Sequence, residues 1–221
     1  MKFGLFQWPL YQGGYSLLAY DARSHGESAK VPAPSGISMR DDFLSALDYA
    51  MARPDVDSTR IGVLGHSLGA FGSIVALGHG AGHKLRAVVT DAMPARAHNM
   101  MKNELQRRGI PLFPLVYLLP WIWFKRSHVT QEDTQLDVPI NGCNVPVLMT
   151  HSRGDGAVPV TEMDYVRSIV RRSNVEFFYL ECEGHNTSAD QPSFWEQVLP
   201  FFREHLKPLE QESSCRVENR L

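Results

Sequence analysis

The 221-residue chain has few cysteines and almost no net charge. Its three cysteines, Cys143, Cys182 and Cys215, are odd in number and far apart, so they predict neither a disulfide framework nor a zinc site. With 22 basic and 24 acidic residues the formal charge is −2, which argues against nucleic acid as a partner. These absences favour a globular protein of a reducing compartment, and we predict a cytoplasmic location.

Signals for membranes and metals are also scarce. The start of the chain, MKFGLFQWPL, lacks the apolar core and cleavage site of a signal peptide. The longest apolar run, residues 110–124, is shorter than the roughly 20 residues of a span and contains three prolines. We predict no stable span and leave open only a transient contact with a membrane surface. His79 and His83 have ligand-like spacing, but glycines surround them, so no metal is predicted.

The apolar pattern alternates between short strands and helices. Strands are predicted over residues 15–21, 60–66, 85–92, 145–152 and 174–181, with helices over residues 38–54, 68–80, 160–172 and 191–206. This alternation predicts an α/β fold with a mostly parallel open sheet and flanking helices. Ser38 is expected to cap the helix over residues 38–54, with Asp41 and Asp42 in its first turn.

One segment, about residues 96–138, is too long for a simple connection between strands and carries the aromatic-rich apolar run. We predict that it forms an inserted helical lid on a single core domain over residues 1–206. The polar residues 207–221 are predicted to form a disordered tail.

The stretch GVLGHSLGA, residues 62–70, joins a predicted strand to a predicted helix through Ser67. A sharp turn at this place strains the backbone and lifts the hydroxyl above the sheet, at a helix N-terminus that favours negative charge. Gly65 and Gly69 are expected to remove clashes between strand and helix. The pattern predicts a nucleophile elbow, and the alternative is a plain Gly-Ser turn that caps a helix.

A serine nucleophile needs a base and an acid, which follow it in the chain order serine, acid, histidine. His185 follows the fifth predicted strand, and Asp155 follows the fourth, so these two are the predicted base and acid. The alternatives are a surface histidine and a plain Asp-Gly turn. Asp91, at the end of the third predicted strand, is the second candidate acid.

Four motifs together resemble the α/β-hydrolase superfamily, in particular its serine aminopeptidase-like and esterase-like branch. DARSHGES resembles the Asp-x-Arg-Gly-His-Gly-x-Ser pattern, with Ser24 in place of glycine, and GHSLGA, SRGDGAVP and EGHN follow it. The resemblance covers nearly the whole chain, to about Lys207. It implies a serine hydrolase that cleaves esters, thioesters or small amides through an acyl-enzyme and needs no cofactor.

The same resemblance implies that three N-terminal strands have no counterpart in residues 1–14, so we expect a shortened hydrolase. Leu68 N–H is then one oxyanion donor, while the loop that normally supplies the second is missing. Residues 15–21 and 60–66 are expected to pair with each other or to leave open edges. The alternative function is a non-catalytic hydrolase fold, either a binding module or an inactive fragment.

Three further residues are candidates for binding a small acyl substrate, namely His66, Tyr117 and Trp121. Aromatic side chains from the lid, where they line a site, favour an apolar acyl or alkyl group. The alternative for the aromatic residues is core packing, and for His66 it is a contact with the lid or the core.

Overall fold

The computed structural model describes residues 4–32, 34–127 and 129–207. Within these residues eight α-helices and four β-strands are present. The helices are α1 (Gly4–Gln12), α2 (Gly36–Ala52), α3 (Leu68–Leu77), α4 (Ala97–Arg107), α5 (Leu115–Ser127), α6 (Asp137–Asn141), α7 (Thr161–Ile169) and α8 (Pro192–His205). The strands are β1 (Gly62–His66), β2 (Ala87–Asp91), β3 (Val147–Gly154) and β4 (Val175–Glu183).

The four strands form one sheet in the order β1-β2-β3-β4, and every neighbouring pair is parallel. The predicted α/β fold with a parallel open sheet and flanking helices is confirmed. Because the strands are parallel, their carboxyl ends lie at one edge of the sheet. The loops that follow β1, β3 and β4 therefore converge there, which is where sites collect in open sheets.

Helices cover both faces of the sheet. One core lies under α2, α3 and α7, and Val88 and Met149 of the central strands face it. The other lies under α1 and α8, and Val89 and Leu148 face it. Successive residues of one strand thus point to opposite faces, as the pleat requires. Burial of both faces explains why the central strands β2 and β3 begin with apolar runs.

Residues 15–21 do not form the predicted strand. They have no regular secondary structure, residues 16–21 are exposed, and they take no part in the sheet. Of the two expected arrangements, the open edge is the one observed, because β1 pairs only with β2 among the described residues. The apolar pattern was insufficient because a strand also needs a neighbour for its backbone N–H and C=O groups.

The loop over residues 21–28 is held by hydrogen bonds instead of by a sheet. The Asp21 carboxylate accepts from Glu27 N–H at 3.1 Å, and Arg23 Nε donates to the Asp42 carboxylate at 2.6 Å. Ser24 adopts a φ of +64°. This left-handed conformation favours glycine, which explains the glycine at that place in the resembled pattern.

Helix α2 begins two residues before the predicted start, and its cap lies three residues before the predicted one. Ser35 is the cap, and its hydroxyl accepts from Ser38 N–H at 3.2 Å while Ser38 Oγ accepts from Ser35 N–H at 2.9 Å. Ser38 is therefore the third helical residue of a capping box. The prediction that Asp41 and Asp42 lie in the first turn was wrong for the same reason, since the first turn contains no acidic residue.

Between β2 and β3 the chain forms the expected helical insertion, built from α4, α5 and a three-residue 3-10 turn, Glu132–Thr134, that precedes α6. No helix among the described residues has the length and apolar character to cross a membrane. The division into a core over residues 1–206 and a lid over residues 96–138 stays a prediction. The predicted tail lies outside the described residues beyond Lys207.

Candidate active site

Ser67 occupies the sharp turn between β1 and α3. Its φ of +53° and ψ of −123° lie in a region that side chains rarely adopt, so the turn stores strain. The N–H of Ser67 donates to Asp91 C=O at 2.9 Å. Its hydroxyl makes no capping hydrogen bond to the helix. The hydroxyl is therefore available to another partner at the carboxyl edge of the sheet.

The two glycines that flank this turn play different parts. A Cβ on Gly65 would lie 2.7 Å from Ala70 Cα and 2.8 Å from Ala70 N, so strand and helix backbones approach too closely for a side chain. A Cβ on Gly69 would meet nothing within 4 Å. The expected steric role is observed at Gly65 and was wrong at Gly69, because nothing among the described residues packs against that position.

Asp155 lies just after β3 with its side chain buried. Its Oδ1 accepts from the N–H groups of Ala157 and Val158, each at 2.8 Å, and its Oδ2 accepts from His185 Nδ1–H at 2.7 Å. Burial favours the neutral acid, but the hydrogen bond from His185 and those from the two N–H groups outweigh it. Together they lower the pKa of Asp155 below its usual value.

His185 connects the acid to the serine. It follows β4 directly after Gly184, which adopts a φ of +97° and donates its N–H to Gly154 C=O at 3.0 Å. Because a carboxylate only accepts, Nδ1 of His185 carries the proton and Nε2 is free to accept. Nε2 lies 2.9 Å from Ser67 Oγ. The structure thus brings together Ser67, His185 and Asp155, the three residues selected from the sequence.

Leu68 is the first residue of α3. Its N–H is one of the amides at a helix start that have no partner within the helix. Leu68 follows Ser67 directly, and its role as an oxyanion donor stays a prediction.

The other candidate residues fall into two groups. His66 lies beside His185, with ring centroids 4.9 Å apart, but its side chain is bound to Asp91 and Asn186. Tyr117 and Trp121 are exposed on α5, at 67% and 57%. The contacts found for their rings are with His98 and Lys125, which also belong to the insertion.

Asp91, the second candidate acid, is fully buried and bonds His66 rather than His185. The motifs in the sequence do not indicate that these two residues pair. The signal that could have paired them is the position of each at the last residue of a neighbouring parallel strand, where His66 and Asp91 are register partners.

The insertion is fastened to the loop that carries the acid. Asn103 of α4 donates from its amide nitrogen to Gly156 C=O at 3.1 Å and to Ala157 C=O at 2.8 Å. At the start of α4, the Arg96 guanidinium forms an ion pair with the buried Glu162 carboxylate at 2.6 Å. These contacts therefore hold the helical insertion against the loop that carries Asp155.

The described part of the chain contains no group of three or more His, Cys, Asp or Glu residues arranged to hold a metal. One of the two histidines with ligand-like spacing, His79, contacts an arginine: its Nε2 lies 3.2 Å from Nη1 of Arg40.

Comparison with known proteins assigns most of the chain to one family. The sequence pattern of the prolyl oligopeptidase family matches residues 35–209, which include all three clustered residues. The chain belongs to the prolyl oligopeptidase family. The α/β-hydrolase resemblance is thereby confirmed.

The curated proteins that match this chain have low sequence identity to it. The chain is 21% identical over 207 residues to protein YfhR of Escherichia coli O157:H7, covering 91% of the chain and 66% of that protein. It is 24% identical over 184 residues to YfhR of Salmonella typhimurium, covering 77% and 56%. The chain therefore spans about 56 to 66% of the length of these curated relatives.

Several solved structures share the fold of this chain, although their sequence identity to it is low. The Pyrococcus furiosus esterase Pf2001 superposes with a TM-score of 0.73 at 20% identity, covering 92% of this chain and 75% of that one. The esterase domain of a Rhodothermus marinus protein gives 0.62 at 16%, covering 93% and 81%. Acetyl xylan esterase 1 of Thermoanaerobacterium gives 0.60 at 16%, covering 90% and 68%.

Proposed function

We propose that the chain is a serine hydrolase that cleaves carboxylic esters, thioesters or small amides through an acyl-enzyme on Ser67. The observation that carries the proposal is one continuous set of hydrogen bonds, 2.9 Å from Ser67 Oγ to His185 Nε2 and 2.7 Å from His185 Nδ1 to Asp155 Oδ2. A hydroxyl that bonds a free imidazole nitrogen, with a buried carboxylate behind the ring, is the arrangement that activates serine.

In the proposed reaction, Ser67 Oγ attacks the substrate carbonyl carbon while His185 Nε2 takes the hydroxyl proton. The tetrahedral adduct collapses, the bond to the leaving group breaks, and His185 returns the proton to that group. Water then attacks the acyl carbon while His185 takes one of its protons, and the acid product leaves as the acyl bond to Ser67 Oγ breaks and His185 returns that proton to Oγ. Asp155 keeps the proton on Nδ1 and stabilises the imidazolium that forms in each half of the reaction.

Leu68 N–H is the proposed donor to the oxyanion of the tetrahedral adduct. Its place at the start of α3 supports this role, because the amides of a first helical turn are free and the helix dipole favours negative charge there. Loss of one such donor typically lowers turnover by about 10² to 10³.

The proposed substrate is a small molecule with an apolar acyl group. Support comes from the exposed aromatic side chains of the insertion, among them Tyr117 and Trp121, which offer an apolar surface. The structural similarity to esterases favours ester substrates, and the family match favours peptide or amide substrates. A transient contact of the insertion with a membrane surface stays a prediction.

A fluorophosphonate, which reacts only with an activated serine, tests the proposal on the purified 221-residue chain. Intact mass is expected to rise by one adduct in the wild type and not in Ser67→Ala. Ser45→Ala is the matched control, because it removes the hydroxyl of an exposed serine on α2, and it should label like the wild type. Labelling of Ser67→Ala would contradict the assignment of the nucleophile.

The alternative is a hydrolase fold without catalysis, and the open edge of β1 is the observation that favours it. Folded, soluble wild-type protein that forms no adduct would support this alternative. Once labelling is established, p-nitrophenyl esters of increasing acyl length and aminoacyl p-nitroanilides separate the substrate classes. We expect the esters to react faster, and faster hydrolysis of the anilides would move the proposal to amides.

A further inference from the structure

A second histidine–aspartate pair lies next to the proposed catalytic one. His66 Nδ1 is 2.9 Å from Asp91 Oδ2. The two residues are register partners on β1 and β2, and Asp91 is in turn the register partner of Thr150 on β3. Paired positions of parallel strands point to the same face. The three side chains therefore form one polar row across the carboxyl edge of the sheet.

Asp91 is connected to the nucleophile as well as to His66. Its Oδ1 accepts from Thr150 Oγ–H at 2.8 Å, and its backbone C=O accepts from Ser67 N–H at 2.9 Å. Ala92, the next residue, adopts a φ of +51°, a conformation that costs free energy for a residue with a Cβ. The Asp91 carboxylate is held in place by its complete burial and by the hydrogen bonds of both its oxygens.

His66 is connected to the base loop through its other nitrogen. Nε2 lies 2.9 Å from Oδ1 of Asn186, the residue that follows His185. Both ring nitrogens of His66 therefore face oxygen acceptors. An imidazole can donate from both nitrogens only when it carries both protons. The geometry is that of an imidazolium bound between a carboxylate and an amide oxygen.

The electrostatic surroundings agree with a charged ring. Burial by itself lowers the pKa of His66, but the hydrogen bond and charge of Asp91, the bond to Asn186 and the charge of Asp155 outweigh burial and raise it. The titratable groups around the ring are Asp91 on β2, Asp155 after β3 and His185 after β4. Phe6 of α1 packs on it at 5.6 Å between ring centroids.

We propose that Asp91 and His66 form a charged positioning pair that ties the nucleophile turn to the base loop through Asn186. Asp91 fixes Ser67 through the backbone, and His66 fixes Asn186 and hence the adjacent His185. The distance between Ser67 Oγ and His185 Nε2 then depends on the pair, although neither member touches the substrate carbonyl. Its effect on catalysis rests on the proposed function, whereas the charged pair itself does not.

The charge of the pair is tested by titrating the imidazole ring protons of the full chain with NMR. The His66 signals are expected to titrate above the ordinary histidine value of about 6.5. Asp91→Asn should move the midpoint downward, because the largest opposition to burial is then lost, and Asn186→Asp should move it upward. His79→Gln, at an exposed site, is the matched control for a histidine change. A midpoint below about 6.5 in the wild type, or one that Asp91→Asn leaves unchanged, would overturn the charged pair.

The positioning role is tested by the rate of fluorophosphonate labelling. Asp91→Asn and His66→Gln are expected to label about 10- to 100-fold more slowly than His79→Gln, because small displacements of reacting groups are costly. Asn186→Ala changes only an exposed side chain, so it keeps the test valid where Asp91→Asn does not fold. The positioning role would be overturned if the folded variants of the pair, Asp91→Asn and His66→Gln, and folded Asn186→Ala all labelled at the wild-type rate.

A second readout separates failure of this inference from failure of the proposed function. The Nδ1 proton of His185, bonded to Asp155, gives a signal whose exchange with water reports how firmly the base loop is held, whether or not the chain labels. Faster exchange in Asn186→Ala and Asp91→Asn than in His79→Gln supports the tie. Unchanged exchange in both would contradict it even where the wild type labels fully.

Discussion

Two regions of this chain match the hydrolase motifs, and they are built in different ways. At the carboxyl ends of the strands, Ser67, Asp155 and His185 each follow a strand that is paired in the sheet, and hydrogen bonds join the three side chains. Residues 15–28 carry an equally recognisable motif, but they lie outside the sheet and depend on local loop contacts. A motif in the sequence thus becomes a rigid site only where neighbouring strands hold it.

The largest effect that would separate the two regions is expected from Asp155→Asn. The amide donates to Nδ1 of His185, so the ring proton moves to Nε2 and the ring can no longer accept from Ser67. Labelling by a fluorophosphonate should slow by about 10⁴-fold while the fold is retained. Rate constants with circular dichroism as the fold control decide this, and a slowing of less than about tenfold would count against the role of Asp155.

Within the nucleophile turn, Gly65→Ala and Gly69→Ala form a matched pair of the same chemical change. The Cβ at position 65 would lie within 2.8 Å of the Ala70 backbone, so we expect a loss of about 3 kcal/mol in the free energy of unfolding. The Cβ at position 69 meets open space in a helix, where alanine is favoured over glycine by up to about 1 kcal/mol.

Urea unfolding of the two glycine variants gives both values on the same scale. Equal destabilisation by the two changes would show that the turn is crowded on both sides, contrary to the contacts described. A stabilised Gly69→Ala that still labels would also show that this glycine is not required for the chemistry.

A smaller effect, with a defined sign, is expected from the pH dependence of stability at His66. The pKa of His66 is raised in the folded chain. Its contribution to the free energy of unfolding is therefore fully present below the pKa of the unfolded chain, about 6.5, and is lost as pH rises through the pKa of the folded chain. His66→Gln should therefore destabilise the protein more at about pH 5.5 than at about pH 8.5. Denaturant curves at both values check this, and the reverse order would mean that the folded ring is neutral.

The smallest effect is expected in the region outside the sheet. Leu18 is 50% exposed, so Leu18→Ser should change the free energy of unfolding by no more than about 0.5 kcal/mol. Leu148, of the same type but buried in β3, is the control, and Leu148→Ala should cost about 2 to 5 kcal/mol. A large loss from Leu18→Ser would show that residues 15–21 are packed more firmly than their exposure indicates.

Much of the site could be predicted because its signals are local. The turn at Ser67 follows from a strand, a glycine and a helix in direct succession, and Asp155 and His185 follow their strands in the order that the fold requires. The central strands β2 and β3 could be predicted because their buried apolar residues lie on both faces. The helical insertion could be predicted from its length alone.

What could not be predicted depends on partners that are distant in the chain. Residues 15–21 have the composition of a strand, but their sheet partner is not specified locally. The pairing of His66 with Asp91 depends on the register of two strands, and the open space at Gly69 depends on what packs there. The cap at Ser35 was missed because Ser38, three residues on, offers the same side chain, and only the backbone distinguishes the two.

The bond between Asn103 and the acid loop has a consequence for attempts to redesign this hydrolase fold. Helix α4 holds the carbonyl groups of Gly156 and Ala157, while the N–H of Ala157 holds the Asp155 carboxylate. The insertion is therefore not an interchangeable module. Replacing the insertion with that of another protein, to recruit a new substrate, would also disturb the Asp155 carboxylate. Substrate selectivity and reaction rate would therefore have to be optimised together in any library of variants that changes residue 103.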